Sequence, residues 1–161
     1  MYELRIVRER RTGYPASRGP LQNSSAVVRA FRDHFNQLDR EQVVVVLLDA
    51  KNRALGYHVV STGILNASLV HPREVFKAAI LANAAALIVI HNHPSGDPVP
   101  SAEDHAITER LVSAGQLLGI AVPDHIVIGD DAAFAFSDAG LLSSKSEPAV
   151  AAEGDAEERR Q

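Results

Sequence analysis

The apolar residues of this chain fall into two kinds of pattern, short continuous blocks and stripes at helical spacing. Val43–Leu48 is a continuous block of β-branched residues and leucine, which predicts a strand buried on both faces. The turn Asp49-Ala50-Lys51-Asn52 and the segment Ala54–Ser61 make it the first arm of a hairpin. A second block, Leu87–Ile90, runs into His91, Asn92 and His93 until Pro94, which has no N–H for a sheet ladder, stops it. Val122–Ile128 and Ala132–Ser137, separated by Gly129-Asp130-Asp131, predict two closing strands. Between the blocks lie the helical stripes. Val27, Val28, Phe31, Phe35 and Leu38 form one, behind a cap at Ser24 or Ser25. Val75, Ala78, Ala79 and Ala82 form another, in a helix from His71-Pro72 through Asn83. Ile107, Leu111, Ala114 and Leu118 form the third, in a helix that opens at Ser101-Ala102-Glu103-Asp104 and ends near Gly115 and Gly119.

The ends of the chain read differently. Residues 1–20 hold a short edge strand, Tyr2–Val7, then the basic cluster Arg8, Arg10 and Arg11 and a turn-rich stretch, Thr12–Pro20. Ile64–Val70 fits a further short strand. From Ser143 to the end large apolar residues nearly vanish, which predicts a disordered tail over 143–161. Residues 21–142 are left as one α/β (α+β) domain, with strands and three helices mixed along the chain and a mixed β-sheet.

Composition narrows the chemistry. A chain of 161 residues that is 46% hydrophobic suits one domain with one sizeable core. Its formal charge of −4, from 16 basic and 20 acidic residues, argues against nucleic-acid binding through the overall field. Arg5, Arg8, Arg10, Arg11 and Arg18 are the local candidates for phosphate contact. There is no cysteine, so any metal must be held by carboxylates and by some of the seven histidines. No apolar run approaches the ~20 residues of a membrane span, and Met1-Tyr2-Glu3-Leu4-Arg5 lacks a signal-peptide apolar stretch. The expectation is a soluble cytoplasmic protein with no membrane partner.

The densest chemistry lies in Ala86–Asp104. Side chains alternate along a strand, so His91 and His93 face one way and Asn92 the other. Asp104 lies three residues before Ile107, on the inward side of its helix. Two imidazoles and a carboxylate, with a fourth position kept for water, describe a catalytic zinc site rather than a closed structural one. Ser101-x-x-Asp104 also reads as a capping-box-like helix start. Asp124 and His125, at a strand start, are placed to hydrogen-bond a ligand histidine from behind. His34 reads as exposed and His58 as structural, while His71 and His105 carry no assignment.

His91-x-His93, seven residues, Ser101, two residues and Asp104 resembles the H-x-H-x7-S-x2-D signature of the JAMM metalloproteases. The wider wording, HPREVFKAAILANAAALIVIHNHPSGDPVPSAEDHAITERL followed by DHIVIG, is similar to the RadC family of bacterial JAB-domain proteins over about Leu21–Leu142. His91-Asn92-His93 is not an HNH nuclease motif, whose residues are spread over a ββα unit. The resemblance implies a JAB/MPN-like, cytidine-deaminase-like three-layer sandwich, with zinc held by His91, His93 and Asp104. It places a general base on an early strand, at Glu41, with Glu74 the second choice. It implies that Ser101 helps stabilise an oxyanion, and that the Pro94–Pro100 loop shapes a groove for a peptide or isopeptide substrate. Two other functions accompany the family. One is a DNA repair or recombination accessory, a reading weakened because the residues before Glu41 show no helix–hairpin–helix pattern. The other is a non-catalytic MPN interaction module.

Overall fold

The computed structural model describes residues 20–36, 38–63 and 70–142. The expectations for Tyr2–Val7, the N-terminal arginines, residues 64–69 and the tail from Ser143 lie outside those residues. Five strands form one sheet in the order β2-β1-β3-β4-β5. They are β1 (Gln42–Leu48), β2 (Ala54–Thr62), β3 (Ala86–Asn92), β4 (Ala121–Ile128) and β5 (Ala133–Ala135). The sheet is mixed: β1 runs antiparallel to β2 and β3, β3 parallel to β4, and β4 antiparallel to β5. A parallel pair needs a long crossover, and α3 (Ala102–Leu118) supplies it between β3 and β4. The other helices are α1 (Ser24–Phe35) and α2 (Pro72–Leu81).

The alternation of strand side chains divides the core into two. Val44, Val46, Leu48, Ile88, Ile90, Ile126 and Ile128 pack with Val27, Phe31 and Phe35 of α1. Val43, Val45, Leu47, Leu87 and Val89 pack on the opposite face with Val75, Phe76 and Ala79 of α2 and Ile107 and Leu111 of α3. The result is the expected three-layer α/β arrangement, with a mixed sheet between helices. β1 and β3 are buried along nearly their whole length because both faces are covered.

Several ends differ from the periodicity, each for a local reason. Asn23, rather than either serine, caps α1: its side-chain oxygen accepts from Ala26 N–H at 2.9 Å, while the Ser24 hydroxyl donates to Asp138. The helix stops at Phe35 instead of Leu38, whose N–H reaches only three residues back, to Phe35 O. His34 is half-buried, not exposed, with Nε2 2.6 Å from Gln42 Oε1. The second helix stops at Leu81 rather than Asn83, because Asn83 takes a left-handed φ of 52° and Ala84 N–H turns back to Ala79 O. β5 is shorter than the apolar run suggested, and Ser137 N–H beyond it is taken by Asp124 Oδ1 at 3.0 Å. Among the described residues no helix is long and apolar enough to cross a membrane.

Asp124 is 5% exposed and its Oδ1 also accepts from His125 N–H, so one carboxylate oxygen serves two main-chain donors. Burial pushes its carboxyl above the usual carboxylate range, against the opposing hydrogen bonds from Ser137 and His125. A raised folded pKa means a contribution that is full below the unfolded value and is lost as pH rises through the folded one. Asp124→Ala, which strands both donors, is expected to cost about 1–3 kcal/mol in urea unfolding. Asp124→Asn keeps the acceptor without the buried charge, so its stability relative to the native chain should improve from acid to neutral pH.

Candidate metal centre

The strand register brings the site together. In the antiparallel pair Val43 lies opposite His91. Glu41, two residues before Val43, therefore shares its face, the side covered by α2 and α3. Asn92 points the other way and clamps the backbone on either side of Glu41. Its Oδ1 accepts from Gln42 N–H at 2.9 Å and its Nδ2 donates to Arg40 O at 3.2 Å. Gly63 N–H donates to Glu41 O at 2.8 Å, which fixes the same residue from the β2 side.

Past β3 the chain is held by main chain against main chain. His93 N–H donates to Ile128 O, and Asp130 N–H donates to Gly96 O. Gly96 has φ +81°, and a Cβ there would collide with the Asp130 side chain; one on Gly129 would collide with Gly96 O. Glycine at both positions is what lets the loop lie on the end of β4. From that loop Asp97 O contacts His93 Nδ1 at 2.8 Å. A carbonyl can only accept, so Nδ1 is the donor and Nε2 is the nitrogen left to face the cluster.

Asp104 enters from the start of α3. Ser101 caps that helix: its Oγ accepts from Asp104 N–H at 3.1 Å and donates to Asp104 Oδ2 at 2.6 Å, and its own N–H donates to the same oxygen at 2.6 Å. The box fixes a carboxylate that is 0% exposed. Burial opposes its ionisation, but His91 and Ser101 outweigh burial and hold the carboxyl well below the usual carboxylate range.

The four groups converge on one point. His91 Nε2 lies 3.0 Å from His93 Nε2, 3.2 Å from Asp104 Oδ1 and 3.8 Å from Glu41 Oε1, and His93 Nε2 lies 3.5 Å from Asp104 Oδ2. One ligand atom from each of Glu41, His91, His93 and Asp104 lies within 4.8 Å of the other three. Asp104 Oδ1 is buried with no hydrogen-bond partner. A buried anionic oxygen left unpaired costs several kcal/mol by order of magnitude, and the Nε2 atoms of His91 and His93 face the same spot. A cation there would complete all of these groups, and two imidazoles with a carboxylate are a donor set that suits a transition metal. The residues present fit a metal ion.

Each sequence-predicted residue can now be placed. His91, His93, Asp104 and Glu41 meet, and Ser101 touches Asp104. Glu74 is outside the group, paired with Lys77 and Arg73 on the outer surface of α2. His125 stands directly behind His91, Nε2 to Nδ1 at 2.8 Å, but Asp124 holds main chain instead of a ligand histidine. His71 caps α2, with Nδ1 accepting from Arg73 N–H. Sequence reasoning missed Thr108, whose Oγ1 lies 2.6 Å from His125 Nδ1. Its signal was a polar residue one turn after Asp104 on the inward face.

Comparison with known proteins gives the family. The model of the RadC-like JAB domain matches residues 21–141. Similar proteins include the UPF0758 protein of Trichlorobacter lovleyi, 59% identical over 112 residues, covering 70% of this chain and 49% of the relative. Another is the UPF0758 protein of Symbiobacterium thermophilum, 49% identical over 134 residues, covering 83% and 57%. A third, from Moorella thermoacetica, is 48% identical over 133 residues, covering 83% and 58%. The chain spans about half the length of the curated relatives it matches. With this match over most of its length, the chain belongs to the RadC-like JAB domain family.

Proposed function

We propose that this domain is a zinc-dependent hydrolase of the JAMM type that cleaves a peptide or isopeptide bond. The observation that carries the reading is the position of Glu41 in the acceptor cluster. It is a carboxylate 17% exposed, 3.8 Å from His91 Nε2, and farther from it than Asp104. His91, His93 and Asp104 would hold the ion. Zinc bound there supplies Lewis acidity, which makes water a nucleophile near neutral pH and polarises a carbonyl.

The chain's own groups do the rest. Glu41, held at its backbone by Asn92 and Gly63, takes a proton from the attacking water and returns it to the departing nitrogen. Ser101 lies at the N-terminal end of α3, where the helix dipole favours negative charge, and its hydroxyl, turned from Asp104 Oδ2, would steady the carbonyl oxygen as it becomes an oxyanion. The capping box keeps Asp104 aimed, and together with His91 it keeps the carboxyl ionised.

Two measurements test the proposal. Metal analysis should find one equivalent of zinc in the native chain and loss of it in His91→Ala and Asp104→Ala; either variant retaining a full equivalent would refute the ligand assignment. Against a panel of fluorogenic amide and isopeptide substrates, Glu41→Gln should keep its zinc and lose about 10²–10⁴ in kcat. If Glu41→Gln cleaves as fast as the native chain, Glu41 is not the base. If the zinc-loaded chain cleaves nothing while Glu41→Gln still supports function in cells, the domain is an interaction module.

A further inference from the structure

Behind the ligand cluster lies a second buried row of polar groups that metal binding alone does not require. His125 is 1% exposed and Thr108 3% exposed. The row runs from His91 Nδ1 to His125 Nε2 at 2.8 Å, from His125 Nδ1 to Thr108 Oγ1 at 2.6 Å, and from Thr108 Oγ1 to Asp104 O at 2.6 Å. Phe136 stacks on the His125 ring, with centroids 5.0 Å apart and planes 10° from parallel, and prevents it from turning.

The protons in this row can be counted. Asp104 O is a carbonyl and only accepts, so the single hydroxyl proton of Thr108 is committed to it. Thr108 Oγ1 then offers His125 only a lone pair, and His125 Nδ1 must be the donor. The enclosed His125 ring has no carboxylate on either nitrogen, and an imidazole that donates from Nδ1 in this tautomer accepts at Nε2. His91 must therefore donate from Nδ1, which leaves Nε2 as the nitrogen turned toward Glu41, His93 and Asp104 and available to a cation. The direction of every bond is set at the far end, by one threonine hydroxyl.

We propose that Thr108 and His125 are positioning residues whose hydrogen-bond row fixes the tautomer of His91 so that Nε2 is presented to the cation. The idea rests on the metal reading above, with one part that stands without it. Asp104 supplies a side chain to the cluster and a carbonyl to the row, so the same turn of α3 that brings in the carboxylate also orients the imidazole opposite. His93 reaches the same state by a separate route, through Asp97 O. Both imidazoles are thus turned by main-chain carbonyls, one directly and one through two side chains.

The test uses the whole chain. Zinc affinity, measured by competition with a chromophoric chelator, should fall about tenfold in Thr108→Val, which keeps the shape and loses the hydroxyl, the low end of the range for outer partners of ligand histidines. Thr108→Ser, which restores the hydroxyl, should return to within about twofold of the native value. An unchanged Thr108→Val overturns the proposal, and so does a Thr108→Ser as weak as Thr108→Val, because the methyl group and not the hydroxyl would then matter. Independently, ¹⁵N-detected ring spectra of the metal-free native chain at pH 8 should show His125 protonated at Nδ1 and bare at Nε2. A proton on Nε2 overturns the row whatever the affinities. If the native chain binds no zinc, the proposed function falls, and the His125 spectrum still decides the tautomer.

Discussion

The register of three strands carries the site. Because β1 and β3 pair with Val43 opposite His91, and β3 and β4 pair with Val89 opposite His125, positions 41, 91 and 125 share one face of the sheet. A shift of either pairing by one residue would turn a strand's side chains to the α1 side. That shift is opposed by both cores, since the even positions of β1 and β3 fill the layer under α1 and the odd positions fill the layer under α2 and α3. The apolar packing thus fixes the polar geometry, although none of the apolar residues touches a metal.

The second constraint is electrostatic. Two imidazole nitrogens and two carboxylates are gathered around one buried point, an arrangement that is unfavourable unless something positive occupies it. The fold holds these groups with donors placed around the rim: two from Ser101 onto Asp104 Oδ2, Gly63 N–H onto Glu41 O, and Asn92 Nδ2 onto Arg40 O. The helix dipole of α3 adds to the same effect at Asp104. These contacts aim the acceptors at one another, where free side chains would swing apart into solvent.

Much of this was legible in the sequence. The block Leu87–Ile90 ending in His91 and His93, and the inward place of Asp104 before Ile107, specify a strand end and a helix start with ligands on facing sides. Period-two and period-3.6 patterns encode which face a residue takes, and the deep burial of His91 and Asp104 follows from them. Glu41 was different: a glutamate just before an apolar strand looks like any solvated end, and only its approach to His91 on the neighbouring strand brings it into the cluster. Thr108 was hidden for a related reason, since its importance lies in a contact with His125 of the next strand. The ends of α1 and α2 were missed because their stops are set by backbone closure at Leu38 and Asn83, after stripes that on periodicity alone continue.

The capping box at Ser101 holds Asp104 Oδ2 as part of the helix start and leaves Oδ1 facing the cluster. The carboxylate is anchored by α3 whether or not anything is bound, and the two histidines are anchored by β3, β4 and main-chain carbonyls. In a zinc finger, by contrast, the metal creates the fold. Here the side chains that would receive an ion are already held by the fold, so a cation entering the cluster would not have to build its own site.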